Sequence, residues 1–196
     1  MVPKPYFTYL IILVNIIVFQ QENQWGGTEN LETLHRLGAL TTEDILKGEW
    51  WRLITANFLH YGWLHLGANM LGLYYMGSII ESYLGKIRYL IIYFSSGCLS
   101  MLLIFFYFLK IGDPQTLLVG ASAAIMGLIG AMGAIFLQDW WQEKSFLARQ
   151  RLMLLLIVVG IQFLIDYHTP HVSLMSHIFG LIIGFITGLI LTRETV

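Results

Sequence analysis

Charge is what this chain of 196 residues has least of. Asp, Glu, Lys and Arg make up 12% of it, about half the share of an ordinary soluble domain. The formal net charge is −1 and there is no basic run, so nothing in the sequence is built to attract nucleic acid. One cysteine, Cys98, excludes an internal disulfide and any cysteine-based zinc cluster. Cys98 stands in an apolar segment with no base beside it in sequence, which fits buried packing better than nucleophilic chemistry. No internal repeat, low-complexity segment or two-fold carrier symmetry is evident. No small-residue cleavage site follows the first apolar stretch, Tyr6 to Phe19. Gln20-Gln21-Glu22-Asn23-Gln24 comes instead, so this stretch reads as a retained span rather than a removable signal.

What is abundant is hydrocarbon. Hydrophobic residues make up 57% of the chain and the mean hydropathy is +0.68. The composition predicts an all-α polytopic integral membrane protein, one domain over 1–196. A membrane helix needs about 20 mostly apolar residues. Six segments qualify, at roughly 6–20, 63–82, 87–110, 116–137, 150–167 and 173–192. Their length and lack of dyad alternation indicate helices rather than barrel strands. With the N-terminus inside, cytoplasmic ends hold Lys4, Lys86, Arg88, Lys144, Arg149, Arg151 and Arg193, and the outer side holds Arg36, Lys47, Arg52 and Lys110. Seven cations against four favour cytoplasmic N- and C-termini. The connection at about 21–62 mixes polar residues with Leu31, Leu34, Leu37, Leu40, Ile45, Trp50, Trp51 and Phe58. So many large apolar residues predict an ordered outer loop, with short amphipathic helices partly in the outer leaflet.

Polar groups at membrane depth are expensive, which makes them functional candidates. In the sixth span His177, Gly180, Gly184 and Gly188 are spaced i, i+3, i+7, i+11 and share one helix face. The three glycines form the small-residue rail that lets two membrane helices approach closely. His177 therefore faces whichever helix packs on that rail; the plainer reading is a packing rail and a histidine bonded to a neighbour. The fourth span carries Gly120-Ala121-Ser122 and is rich in small residues at Gly127, Gly130, Ala131, Gly133 and Ala134. A serine at a helix N-terminus can project its hydroxyl into a cavity beside free N–H groups. Alternatively it bonds its own helix. In the second span His65, Asn69 and Gly72 share a face, and Asn69 can serve as interhelical glue or as an oxyanion donor. His60, His65 and His177 could in principle hold zinc, but H-E-x-x-H is missing and no carboxylate lies in the cores of those two spans. Chance packing explains one polar, glycine-lined face easily and three poorly.

Taken in order, Trp51-Arg52, His60-x₄-His65-x₃-Asn69, Gly120-x-Ser122 and His177-x₂-Gly180-x₃-Gly184 resemble the rhomboid intramembrane serine proteases of the basic six-helix bacterial type. The resemblance covers about 50–190. It implies a six-transmembrane-helix bundle with a long structured first outer loop, in the bacterial inner membrane. It further implies Ser122 as nucleophile and His177 as general base and acid, a dyad without a third acid; no Asp or Glu lies near His177 on its own helix. His65, Asn69 and the Ser122 backbone N–H would form the oxyanion hole. Gly120, His60, Arg52, Gly180 and Gly184 would support the site. The segment 150–167 and the loop 168–175 would resemble substrate gate and cap. The substrates would be transmembrane proteins cut near the outer membrane face, in contact with lipid and with no cofactor or metal. Two positions depart from the family pattern: Ala123 stands where glycine is usual, and Met126 where an aromatic ring is common. The alternative is an inactive relative that binds and escorts membrane proteins; such members would be expected to lose the serine or the histidine.

Overall fold

A computed structural model describes residues 4–169 and 172–192. Arg193, and residues 170 and 171 of the loop 168–175, lie outside the described residues. Within them the regular structure is helical, apart from an isolated antiparallel bridge between Leu40 and Leu118. The first rod is α1 (Tyr6–Gln24). Three short helices follow, α2 (Leu31–Arg36), α3 (Thr42–Leu46) and α4 (Arg52–Thr55). The second rod is α5 (Gly62–Gly72), continued through a π-turn at Leu73–Gly77 into α6 (Ser78–Leu84). Then come α7 (Lys86–Ile111), α8 (Ser122–Glu143), α9 (Phe146–His168) and α10 (Leu174–Thr192).

The helices α7 to α10 are each long and apolar enough to cross a membrane. Their outward faces confirm the environment. Leu99, Leu103 and Phe106 of α7 are exposed, as are Leu154, Ile157, Val158 and Ile161 of α9 and Ile182, Ile186 and Ile190 of α10. Aliphatic surface on this scale belongs in lipid. The protein is an integral membrane protein.

The ends of the rods follow from local chemistry. Gly112, at φ +75°, closes α7 by turning left-handed and returning its N–H to the Phe108 carbonyl. Ser145 caps α9, its Oγ accepting from the Ala148 N–H at 3.3 Å. The first turn of α1 is satisfied by Glu81 of α6, whose carboxylate accepts from the Phe7 N–H (3.0 Å), the Thr8 N–H (2.8 Å) and the Thr8 hydroxyl (2.8 Å). A buried acid is tolerable there because it holds donors a helix N-terminus leaves free.

One expected boundary moves. The span predicted over 116–137 becomes helical only at Ser122. Residues 116–120 lie outside any helix, and backbone groups among them pair with residues 40 and 56 instead: Leu118 N–H to Leu40 O (2.9 Å), Leu40 N–H to Leu118 O (3.1 Å), Gly120 N–H to Ala56 O (2.9 Å). Apolar composition cannot distinguish such a stretch from helix.

The α2–α4 segment is folded around Arg52. Its buried guanidinium donates to the carbonyls of His35 (2.7 Å) and Ala39 (2.6 Å) and to Glu49 Oε2 (2.7 Å). Asp44 joins Thr41 Oγ1 (2.7 Å) and His35 Nε2 (2.6 Å). Desolvation would raise the Asp44 pKa, but the bonds from Thr41 and His35 and the charge of Arg52 together hold it below the ordinary value. Leu40, Ile45 and Ala56 then pack onto Met101, Ile104, Phe105 and Phe108 of α7. The main core lies deeper, where Tyr89, Ile92 and Tyr93 of α7 meet Ala124, Ile125, Leu128 and Ala131 of α8.

Candidate active site

The glycines of α8 and α10 set the geometry. A Cβ on Gly180 would strike the Ala123 carbonyl oxygen, with the Ala123 carbonyl carbon at 2.9 Å and Cα at 3.1 Å. One on Gly184 would strike the backbone of Gly127, and one on Gly188 would lie 2.8 Å from Ala131 Cα. From the other side, a Cβ on Gly130 would collide with the Leu181 carbonyl oxygen. The two helices therefore touch backbone to backbone along three turns. Ala123 directly follows Ser122, and Gly180 lies three residues after His177. Gly127 also faces α7, where a Cβ would meet Ser96.

Ser122 is the first residue of α8 and is half-buried. The first intrahelical bond runs from the Ile125 N–H to the Ala121 carbonyl (3.0 Å). The N–H groups of Ser122, Ala123 and Ala124 precede it, where helices leave donors free. Ala123 is helical, so its Cβ carries no conformational cost. Met126 is buried.

Gly120 explains how the serine's surroundings close up. Its φ of +120° favours glycine, and a Cβ there would sit 2.7 Å from His65 Nε2 and 3.6 Å from Ser122 Oγ. A single missing methyl thus lets the His65 ring of α5 and the Ser122 hydroxyl of α8 approach one backbone position. His65 Nδ1 accepts the Tyr61 N–H at 3.3 Å. In the neutral ring that leaves the proton on Nε2, the nitrogen facing Gly120, as a donor. The His65 and His177 imidazoles are also close enough to interact electrostatically.

Asn69 is buried, and its amide donates to the His65 carbonyl one turn back at 2.9 Å. One of its two N–H bonds is thereby committed to its own helix. His60 is fully buried, its N–H donating to Glu22 Oε1 of α1 at 3.0 Å and its ring stacked edge-on to His65 at 5.2 Å. It anchors α1 to the start of α5. Arg52 lies in the folded segment described above. Among the described residues no hydrogen bond joins Ser122 Oγ to His177.

The structure adds a residue to this cluster. His177 Nδ1 lies 2.6 Å from Asp166 Oδ2, and Gln162 Nε2 donates to Asp166 Oδ1 at 2.8 Å. Both His177 and Asp166 are buried. The expectation of a histidine without an acid partner is therefore corrected. It was implied by the family resemblance, with which the histidine's own helix agreed, whereas the carboxylate arrives from the end of α9. A signal existed: Leu152, Val159 and Asp166 are spaced by seven and form the buried stripe of α9 with Ala148. It was masked because α9 is apolar on nearly every face.

A serine at a helix start, imidazoles from two other helices and a close-packed glycine seam define a membrane-embedded polar site. The Rhomboid domain family matches residues 47–194. The chain belongs to the rhomboid family. It is 34% identical to "Rhomboid protease GluP" of Bacillus subtilis (strain 168) over 182 residues, covering 93% of this chain and 34% of that protein. It is 38% identical to "RHOMBOID-like protein 6, mitochondrial" of Arabidopsis thaliana over 175 residues, covering 89% of this chain and 54% of the relative. For "RHOMBOID-like protein 5" of the same plant the identity is 32% over 173 residues, covering 87% and 53%. The chain spans between about a third and about half the length of these relatives.

Proposed function

We propose that the chain is an intramembrane serine endopeptidase that cleaves membrane protein substrates near the outer membrane face. The observation that carries this reading is the seating of Gly180 on the Ala123 backbone. It fixes the helix bearing His177 against the helix that starts at Ser122. Membership of a family whose relatives include a protein named as a rhomboid protease supports it.

In this reading Ser122 is the nucleophile and His177 the base. As substrate docks, the Ser122 hydroxyl turns to His177 Nε2 and gives it the proton. Its oxygen bonds the scissile carbonyl carbon, and the carbonyl electron pair moves to oxygen. The Ser122 N–H, the His65 Nε2–H and the second N–H of Asn69 receive that charge. The imidazolium then protonates the leaving nitrogen as the C–N bond breaks, and water repeats the sequence to release the acyl group. Catalytic hydrogen bonds commonly tighten only in the substrate complex. The same reading takes α1 and the α5–α6 rod as spans beside α7 to α10, making six in one domain. It places the α2–α4 segment and the start of α8 on the outer side, and both termini in the cytoplasm of a bacterial cell.

The test is cleavage of a single-span substrate by the purified full chain in liposomes, with Ser122→Ala alongside. Cleavage by the parent and none by the variant is expected; equal cleavage by both would overturn the nucleophile assignment.

A further inference from the structure

We propose that Asp166 is a positioning carboxylate for His177, so that the site has three members, Ser122, His177 and Asp166. The inference rests on the serine-peptidase reading above.

The geometry is that of an oriented base. Asp166 Oδ2 faces Nδ1 at 2.6 Å, and Gln162, one turn earlier on α9, holds the other carboxylate oxygen at 2.8 Å. An ionised carboxylate only accepts, so the bond to it requires the proton of the neutral ring on Nδ1. Nε2 then carries the lone pair, and Nε2 is the nitrogen that must take the serine proton. When it does, the imidazolium already has an anion at its far side. The carboxylate fixes both tautomer and ring plane before substrate arrives.

Its placement argues the same way. An acid within a membrane helix is costly unless it is partnered, and Asp166 is 3% exposed with both oxygens bonded. Asp166 stands on α9 and His65 on α5. Nearby, the Ala123 backbone of α8 seats Gly180, and Met175 and Phe179 of α10 pack against the cluster that includes Met101 and Phe105 of α7. The positive charge that forms on the ring during turnover is thus answered by Asp166.

The competing explanation is a staple. Of α9, only Ala148, Leu152, Val159 and Asp166 are buried, and a bond to His177 would help hold this sparsely attached helix. The two roles separate experimentally. A staple acts on stability and on the fraction of folded protein. A positioning carboxylate acts on turnover in protein that is fully folded.

The experiment uses the full chain in liposomes, with a single-span substrate and a fluorophosphonate probe. Asp166→Asn keeps the shape, but its N–H₂ can donate to Nδ1 and push the ring proton onto Nε2. We expect kcat to fall about 100-fold or more, with KM within about twofold. Probe labelling of Ser122 should slow in parallel, resistance to unfolding should stay near parental, and Asp166→Glu should recover part of kcat. An Asp166→Asn variant with parental kcat, beside an inert Ser122→Ala, overturns the inference and leaves the peptidase reading standing. A Ser122→Ala variant that still cleaves overturns the peptidase reading instead. If Asp166→Asn does not fold, nitrogen NMR of His177 in the parent decides. A proton on Nδ1 with a bare Nε2 supports the assignment, and a resting Nε2–H tautomer overturns it.

Discussion

Substituting Gly180 by alanine tests the glycine seam where it is closest to the chemistry. The new Cβ would lie 2.9 Å from the Ala123 carbonyl carbon and collide with its oxygen. Carbon atoms rest at about 3.5–4.0 Å from one another, so the carbonyl carbon alone demands an opening of about 0.6 Å, and its oxygen demands more. Neither atom can rotate away, because Ala123 belongs to the first turn of α8. The helices must separate, and they carry Ser122 and His177 with them. Overpacking of this kind costs about 1–3 kcal/mol, and a displacement near 1 Å in a reacting pair costs about 100-fold in rate. Liposome cleavage assays should therefore show kcat down by about two orders of magnitude, with a smaller loss in resistance to denaturation. Gly180→Ala at parental rate and parental stability would refute the claim that this seam sets the spacing of the pair.

Other expectations follow from the same contacts. Gly120→Ala meets both a φ of +120° and His65 Nε2 at 2.7 Å; substrate cleavage should drop more than global stability, as measured by paired rate and unfolding assays. Arg52→Ala leaves the His35 and Ala39 carbonyls without their donor and Asp44 without a nearby cation. It should destabilise the α2–α4 segment by about 3 kcal/mol, visible as faster protease nicking between α1 and α5. Acid should loosen the same segment. Because the folded Asp44 pKa is held below its ordinary value of 3.8, its contribution is present above pH 4 and is lost as pH falls through the folded value. Fluorescence of Trp50, which packs edge-on to Phe105 at 6.0 Å, should report that transition, and Asp44→Asn should remove this contribution to it.

The sequence told much about the helices and less about their meeting points. Long apolar runs specify membrane helices directly, and the expected segments 87–110 and 150–167 emerge as Lys86–Ile111 and Phe146–His168. The stretch before Ser122 did not read correctly, because Leu117, Leu118 and Val119 are equally apolar whether they form a helix or pair with Leu40. The period of Gly180, Gly184 and Gly188 revealed a close-packing face, and its partner proves to be the Ala123 to Ala131 face of α8. Asp166 was invisible in its role. Its partner is eleven residues away on another helix, and no local spacing encodes that contact. His65 was legible as a polar residue on a glycine-bearing face, but its Nε2–H state follows only from the Tyr61 N–H bonded to its other nitrogen.

The most direct measurement is fluorophosphonate labelling of the full chain in liposomes, read by mass spectrometry at the modified residue and paired with substrate cleavage. One adduct is expected, on Ser122, that abolishes cleavage and does not form on Ser122→Ala. Labelling at another residue with loss of cleavage, or cleavage that persists after Ser122 is modified, would contradict it.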